Sequence, residues 1–158
     1  MTVVSVSIHN EIEIAVSAKD LFNYVTQPWL WHEWHPNSKS ARAAHSFLAT
    51  GDEFDEIIEV QPLPPLPLRM TRRTAYTVTE SVPFQTWETE GRMKDGWVRI
   101  RYDFEEKGGV TFFCRTLDFD VTGLTRILMP MLKSKMEKLS MVALNNLKTK
   151  MQARADES

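Results

Sequence analysis

GLTRILMPMLKSKMEKLSMVALNNLKTKMQARADES, residues 123–158, reads as one long helix. Its apolar positions recur at helical spacing: Leu124, Leu128, Leu132, Met136, Leu139, Ala143, Leu147 and Met151. Lys133, Lys135, Lys138, Lys148 and Lys150 supply a wet side. Pro130 removes one backbone hydrogen bond and predicts a bend in the first third. Nearly everything before this helix reads as strand. A lone helix of this length must therefore lie across a curved sheet and close it, leaving either a packed core or a cavity beneath.

The strands are legible from that helix backwards. Val110 to Val121 follows the turn Lys107-Gly108-Gly109, and Trp97 to Glu105 follows Lys94-Asp95-Gly96, both hairpin signals. Phe84 to Met93 and Thr71 to Val82 are divided by Pro83. Phe54 to Gln61 carries Phe54, Glu56, Ile58 and Val60 on one face, and Ser40 to Phe47 is a weaker strand before the turn at Gly51-Asp52. Pro62-Leu-Pro-Pro-Leu-Pro67 cannot join a ladder and reads as an exposed connection. At the other end, Val3 to Val16 alternates cleanly. Val4, Val6, Ile8, Ile12, Ile14 and Val16 share one face, interrupted only by Asn10. Ser17-Ala-Lys-Asp20 resembles a capping box opening a helix through Val25, and Pro28 opens a second short helix ended by Pro36.

At 158 residues the chain predicts one domain, numbered 1–158, with room for a substantial core. A net charge of −2 and a pI of about 6.1 argue against nucleic acid as partner. One cysteine, Cys114, allows no internal disulfide and fits a reducing compartment. The N-terminus lacks the basic and apolar regions of a signal peptide, and no window is apolar enough for a membrane span. The expectation is a cytoplasmic monomer or weak homodimer.

The order of one strand, two short helices, six strands and one long helix resembles the START-related, helix-grip superfamily of the birch-pollen allergen, and within it the SRPBCC polyketide cyclase/dehydrase-like group. The likeness is carried by Ile12-Glu-Ile-Ala-Val-Ser-Ala-Lys-Asp-Leu-Phe22, Trp31-His-Glu-Trp-His-Pro36, Gly51-Asp52, Gly108-Gly109-Val-Thr111 and the C-terminal helix. It spans nearly the whole chain. The Pro62 to Pro67 segment departs from it. The resemblance implies an α+β fold: a curved antiparallel sheet of about seven strands wrapped around the long helix, two short helices between the first strands, and a ligand cavity between sheet and helix.

The inward-facing positions make Asn10, Glu56, Ile58, Tyr76, Trp87, Tyr102, Phe113, Arg115, Leu128, Leu132 and Met136 the ligand-binding candidates. A packed core fits the alternation equally well. Two features favour a cavity: the helix methionines Met129, Met131, Met136, Met141 and Met151, and the inward polar residues Asn10, Glu56, Arg115 and Thr89. The resemblance then implies a small hydrophobic or amphipathic ligand such as a lipid, quinone or polyketide-like aromatic. The enzymatic alternative is a cyclase or dehydratase with Glu56 as base and Tyr76, Tyr102 or Arg115 as donor. A third reading is a co-chaperone-like interaction module, marked by an exposed apolar patch and no cavity.

No cofactor and no metal are expected. His32 and His35 are three apart on a short helix, but a metal needs three or four ligands, and His9, His45 and the cysteine lie on other segments. Trp29, Trp31 and Trp34 read as the plug under the short helices. Cys114 and Arg115 point to opposite faces, so the arginine does not activate the thiol directly. Gly123 and Pro130 place the cavity mouth at the start of the long helix, with Leu63 and Leu66 on the opposite lip.

Overall fold

The computed structural model describes residues 4–60, 69–93, 96–121 and 124–157. Seven strands form one antiparallel sheet: β1 (Val4–Ile14), β2 (Ser38–Ala43), β3 (Glu53–Val60), β4 (Met70–Val82), β5 (Thr86–Met93), β6 (Gly96–Lys107) and β7 (Val110–Val121), in the order β1-β7-β6-β5-β4-β3-β2. The chain leaves one sheet edge at β1 and returns at the other edge as β2. It crosses by α1 (Ala18–Val25) and a 3₁₀ turn, α2 (Pro28–Glu33), before consecutive hairpins bring β7 back beside β1. The long helix α3 (Leu124–Asp156) then lies against the sheet, with its main strand contact on β1. This is the helix-grip arrangement that the resemblance implies.

Local chemistry accounts for the element ends. Ser17 Oγ accepts from the Asp20 backbone N–H at 3.1 Å, capping α1, and Pro28 occupies the first turn of α2, where its missing N–H costs nothing. Gly108 and Gly109 have φ of +59° and +81°, the pair of left-handed residues that a two-residue hairpin between Lys107 and Val110 requires. β2 begins earlier than its alternation suggests and ends sooner. Ser38 is already paired with Ile58 across a register shift, while His45 to Phe47 lie outside the strand. Lys94-Asp95, the Pro62 to Pro67 segment and Gly123 lie outside the described residues.

Inside, five strands each contribute one ring to a row across the sheet: Phe54, Tyr76, Trp87, Tyr102 and Phe113. Neighbouring centroids are 4.9 to 6.1 Å apart along Phe54–Tyr76, Phe54–Trp87, Trp87–Tyr102 and Tyr102–Phe113. Trp31 of α2 stands edge-on to four of these rings and donates Nε1–H to the Val25 carbonyl at 2.7 Å. It is the plug that its tryptophan-rich turn predicts.

The two halves of α3 pack differently. Ala143, Leu144, Leu147 and Met151 are fully buried. Asn146 donates to the Trp34 carbonyl, and Arg154 lies 4.7 Å over the Tyr24 ring, whose hydroxyl donates to Glu33. Earlier in the helix, Leu132, Met136 and Leu139 are only half-buried, because the space below them is not filled. Among the described residues no helix is long and apolar enough to cross a membrane.

Candidate functional site

That space is a cavity of about 490 Å³ between the first half of α3 and the inner face of the sheet. Its apolar wall comes from Ile58, Met93, Val98, Ile100, Leu117 and Phe119, closed from above by Leu132, Met136 and Leu139. Trp31, Trp34, His35, Pro36 and Asn37 form one end. Lys39, Glu59, Arg69, Met70, Arg72 and Lys135 also line it, at its outer margin.

Several buried polar side chains converge on the interior, Glu56, Arg115, Tyr76 and Tyr102 among them. Glu56 is 6% exposed and Arg115 5%, so both are inside rather than at the margin. The two do not pair with each other: Ser38 Oγ donates to Glu56 Oε2 at 2.8 Å, and Arg115 Nη1 donates to Ser140 Oγ at 3.1 Å. Among the described residues Arg115 Nε has no hydrogen-bond partner. An unpartnered guanidinium N–H in an interior costs free energy unless something in the cavity accepts from it. Tyr76 and Tyr102 complete the cluster.

The electrostatics follow from burial. Loss of water raises the Glu56 carboxyl to about 7, with Ser38, Arg115 and Tyr76 pulling the other way. Burial raises Tyr102 to about 12 against the opposing pull of Arg115, and Tyr76 is pushed well above its usual value by burial and then by Glu56. His35 is driven down to about 3 by burial and then by Arg115. Its Nδ1 accepts from the Asn37 backbone N–H at 3.2 Å, so the neutral ring carries its proton on Nε2. Near neutral pH the cavity thus holds a carboxyl populated in both forms, two phenols, a neutral imidazole and a guanidinium.

Seven of the ligand-binding candidates line this cavity: Glu56, Ile58, Tyr76, Tyr102, Arg115, Leu132 and Met136. The other four lie elsewhere. Trp87 and Phe113 are fully buried in the ring row behind the wall, since aromatic stacking consumes the surface that alternation assigned to a ligand. Leu128 is a half-buried residue before the helix reaches the cavity. Asn10 lines a separate recess between β1 and α3, and its buried Oδ1 has no partner among the described residues. Among the described residues the helix lines the cavity from Leu132 to Ser140, past Pro130. Leu63 and Leu66, the expected opposite lip, lie outside the described residues.

Sequence reasoning missed His35, Ser140 and the charged margin. His35 carried a signal, a histidine between a tryptophan and a proline, but helical spacing paired it with His32, which is exposed. Cys114 faces outward, as strand alternation requires. Burial, Glu11 and Asp103 push its thiol up, which disfavours a nucleophilic thiolate.

Gly91 shapes one wall. It lies opposite Tyr76 on β4, and a Cβ there would come within 2.6 Å of Thr74 Cγ2 and 2.7 Å of Tyr76 Cδ1. Gly91→Ala is expected to destabilise by about 1–3 kcal/mol and to displace the Tyr76 ring. Urea unfolding and the Tyr76 ring resonances measure both effects. An unchanged midpoint with unmoved resonances would show that the wall yields freely.

Residues 5–152 match the family model described as polyketide cyclase / dehydrase and lipid transport. No curated protein sequence matches the chain. Among solved structures, the Zhui aromatase/cyclase from a Streptomyces species superposes with a TM-score of 0.74 at 11% identity, covering 96% of each chain. A START superfamily protein from Mycobacterium smegmatis gives 0.65 at 16% identity, covering 96% of this chain and 97% of the other. A truncated norcoclaurine synthase from Thalictrum flavum gives 0.62 at 12% identity, covering 96% and 95%. At such identities these likenesses show the fold alone.

Proposed function

The chain belongs to the polyketide cyclase / dehydrase and lipid transport family, and from that premise we propose that it binds an amphipathic, oxygen-bearing molecule in the cavity under α3. A lipid, a quinone or a polyketide-like aromatic has the right character. The observation that carries this reading is the pairing of an apolar wall with a buried, incompletely satisfied polar cluster. A volume of about 490 Å³ lies within the range of small-molecule sites. The apolar body of the ligand packs on Ile100, Leu117, Phe119, Leu132 and Met136, and a carbonyl, hydroxyl or carboxyl oxygen accepts from Arg115. At the margin Lys39 and Arg69 pair with Glu59, and Arg72 and Lys135 line the cavity beside them.

The test is a panel of fatty acids, quinones and flavonoids read by tryptophan fluorescence and native mass spectrometry. Trp31 and Trp34 line the cavity, so occupancy should change their emission. Dissociation constants of about 10 μM or tighter are expected for the best members, and nothing tighter than about 1 mM would end the proposal.

A second reading rests on Glu56. A desolvated carboxyl raised to about 7, sharing a cavity with Arg115 and two tyrosines, has what proton abstraction next to a ketone requires: a base, and donors for the enolate oxygen. Deuterium exchange at the α-carbon of a bound ketone, followed by NMR, is the corresponding assay. Exchange that Glu56→Gln abolishes supports catalysis; exchange no faster than in buffer restricts the protein to binding. The internal cavity weighs against the protein-docking alternative, which needs none.

A further inference from the structure

The outer face of the sheet carries a second constellation. The β1–β7 register sets His9 opposite Thr116 and Glu11 opposite Cys114, and strand alternation turns all four side chains away from the cavity. His9 Nε2 lies 3.0 Å from Glu11 Oε1, and the nitrogen, carboxylate and sulfur donors of His9, Glu11 and Cys114 all fall within 4.8 Å of one another. His9 and Glu11 are exposed and Cys114 is half-buried. We propose that these three residues form a binding site for a zinc-class divalent cation, with the fourth coordination position open to water.

Three arguments support this assignment. The first is geometric. Bonds of about 2.0–2.3 Å to a tetrahedral ion place its ligand atoms about 3.5 Å apart, within rotamer adjustment of the present positions. The four Cα positions are fixed by a hydrogen-bonded ladder, so binding needs side-chain rotation only. The second is donor chemistry. One imidazole, one carboxylate and one thiolate suit zinc and its neighbours, whereas calcium and magnesium prefer oxygen alone. The third is support behind the histidine. Thr116 Oγ1 sits 2.8 Å from His9 Nδ1. A hydroxyl both donates and accepts, so it can hold a proton on Nδ1 while the Nε2 lone pair turns to the ion. Asp103, opposite Cys114 on β6, adds negative charge nearby, with Arg101 Nε donating to its Oδ2. On binding, the thiol proton passes to solvent as the sulfur–metal bond forms.

Sequence order conceals this site, because His9 and Cys114 sit in the first and last strands and only the register joins them. The test uses Co²⁺ with the reduced full chain at slightly alkaline pH. The protein has a single cysteine, so a thiolate-to-cobalt charge-transfer band in the monomer reports on Cys114 alone. One equivalent of Co²⁺ should produce that band together with the intense visible bands of a four-coordinate ion, and Zn²⁺ should bleach both. His9→Gln and Glu11→Gln should each abolish the four-coordinate spectrum. Thr116→Val should weaken binding by about 10-fold, and His45→Gln should change nothing. No charge-transfer band would overturn the proposal. So would a band that survives in both His9→Gln and Glu11→Gln, since the sulfur would then be binding the ion by itself.

Discussion

Replacing Glu56 by Gln is expected to turn a nearly flat dependence of stability on pH into one that climbs steeply between pH 4.5 and 6.5. Two groups that line the cavity titrate oppositely in that window. Glu56 has its carboxyl raised from 4.5 to about 7 by burial. The folded state therefore holds its proton more tightly, and the stability it contributes is full below 4.5 and is lost as pH rises through 7. His35 is lowered from 6.5 to about 3. Its contribution is full above 6.5 and is lost as pH falls through 3. Where the ranges overlap the slopes oppose, each reaching about 1.4 kcal/mol per pH unit. Removing Glu56 unmasks His35, so the Glu56→Gln protein should gain about 2–3 kcal/mol relative to the parent between pH 4.5 and 6.5. His35→Gln should give the mirror image, losing stability over the same interval. Urea midpoints at half-unit pH steps supply the comparison, and surface carboxylates cancel in the difference between variant and parent. Variant and parent curves that run parallel would mean that neither group is desolvated.

Glu56 and His35 also show which parts of the site the sequence exposes. The fold is carried by patterns with physical periods: alternation in β1, β6 and β7, a serine cap at Ser17, paired glycines at Gly108 and Gly109, and a long helical stripe in α3. Alternation likewise put Glu56 and Arg115 inside, because a strand offers a side chain only two faces. It could not distinguish a residue that lines space from one that fills it. Trp87 and Tyr102 share phase and chemistry. Tyr102 reaches the cavity, whereas Trp87 is enclosed in the ring row between Phe54 and Tyr102. The same limit applies to Leu128 and Leu132, one turn apart on α3, of which only the second overlies the cavity. Ser140 and the His9–Glu11–Cys114 cluster depend on register and helix placement, long-range quantities that leave no local trace.

Arg115→Met is expected to have the largest effect on binding while leaving the fold intact. The guanidinium is 5% exposed, donates to Ser140, interacts with Tyr102 and Glu56, and among the described residues leaves Nε without a partner, so its desolvation is only partly offset. A methionine of similar length fills the same volume without that cost, and stability should stay within about 1 kcal/mol of the parent or rise. Ligand affinity should respond differently. A hydrogen bond from a charged donor contributes about 1.5–3 kcal/mol, so a carboxylate or carbonyl ligand should lose about 10- to 100-fold in affinity. A hydrocarbon of the same shape, bound by the apolar wall alone, should lose almost nothing. Titrating one oxygen-bearing ligand and its deoxygenated analogue against both proteins gives four dissociation constants and one coupling factor. A coupling near unity would place recognition in the apolar wall and the charged margin, leaving Arg115 as a bystander. A coupling of about 10 or more would identify its guanidinium as the group that selects oxygenated ligands and turns their polar end toward Glu56. That orientation is the one that would bring a ligand's acidic carbon within reach of the carboxylate, so the same measurement bears on whether binding alone or binding followed by proton transfer is the function of the cavity.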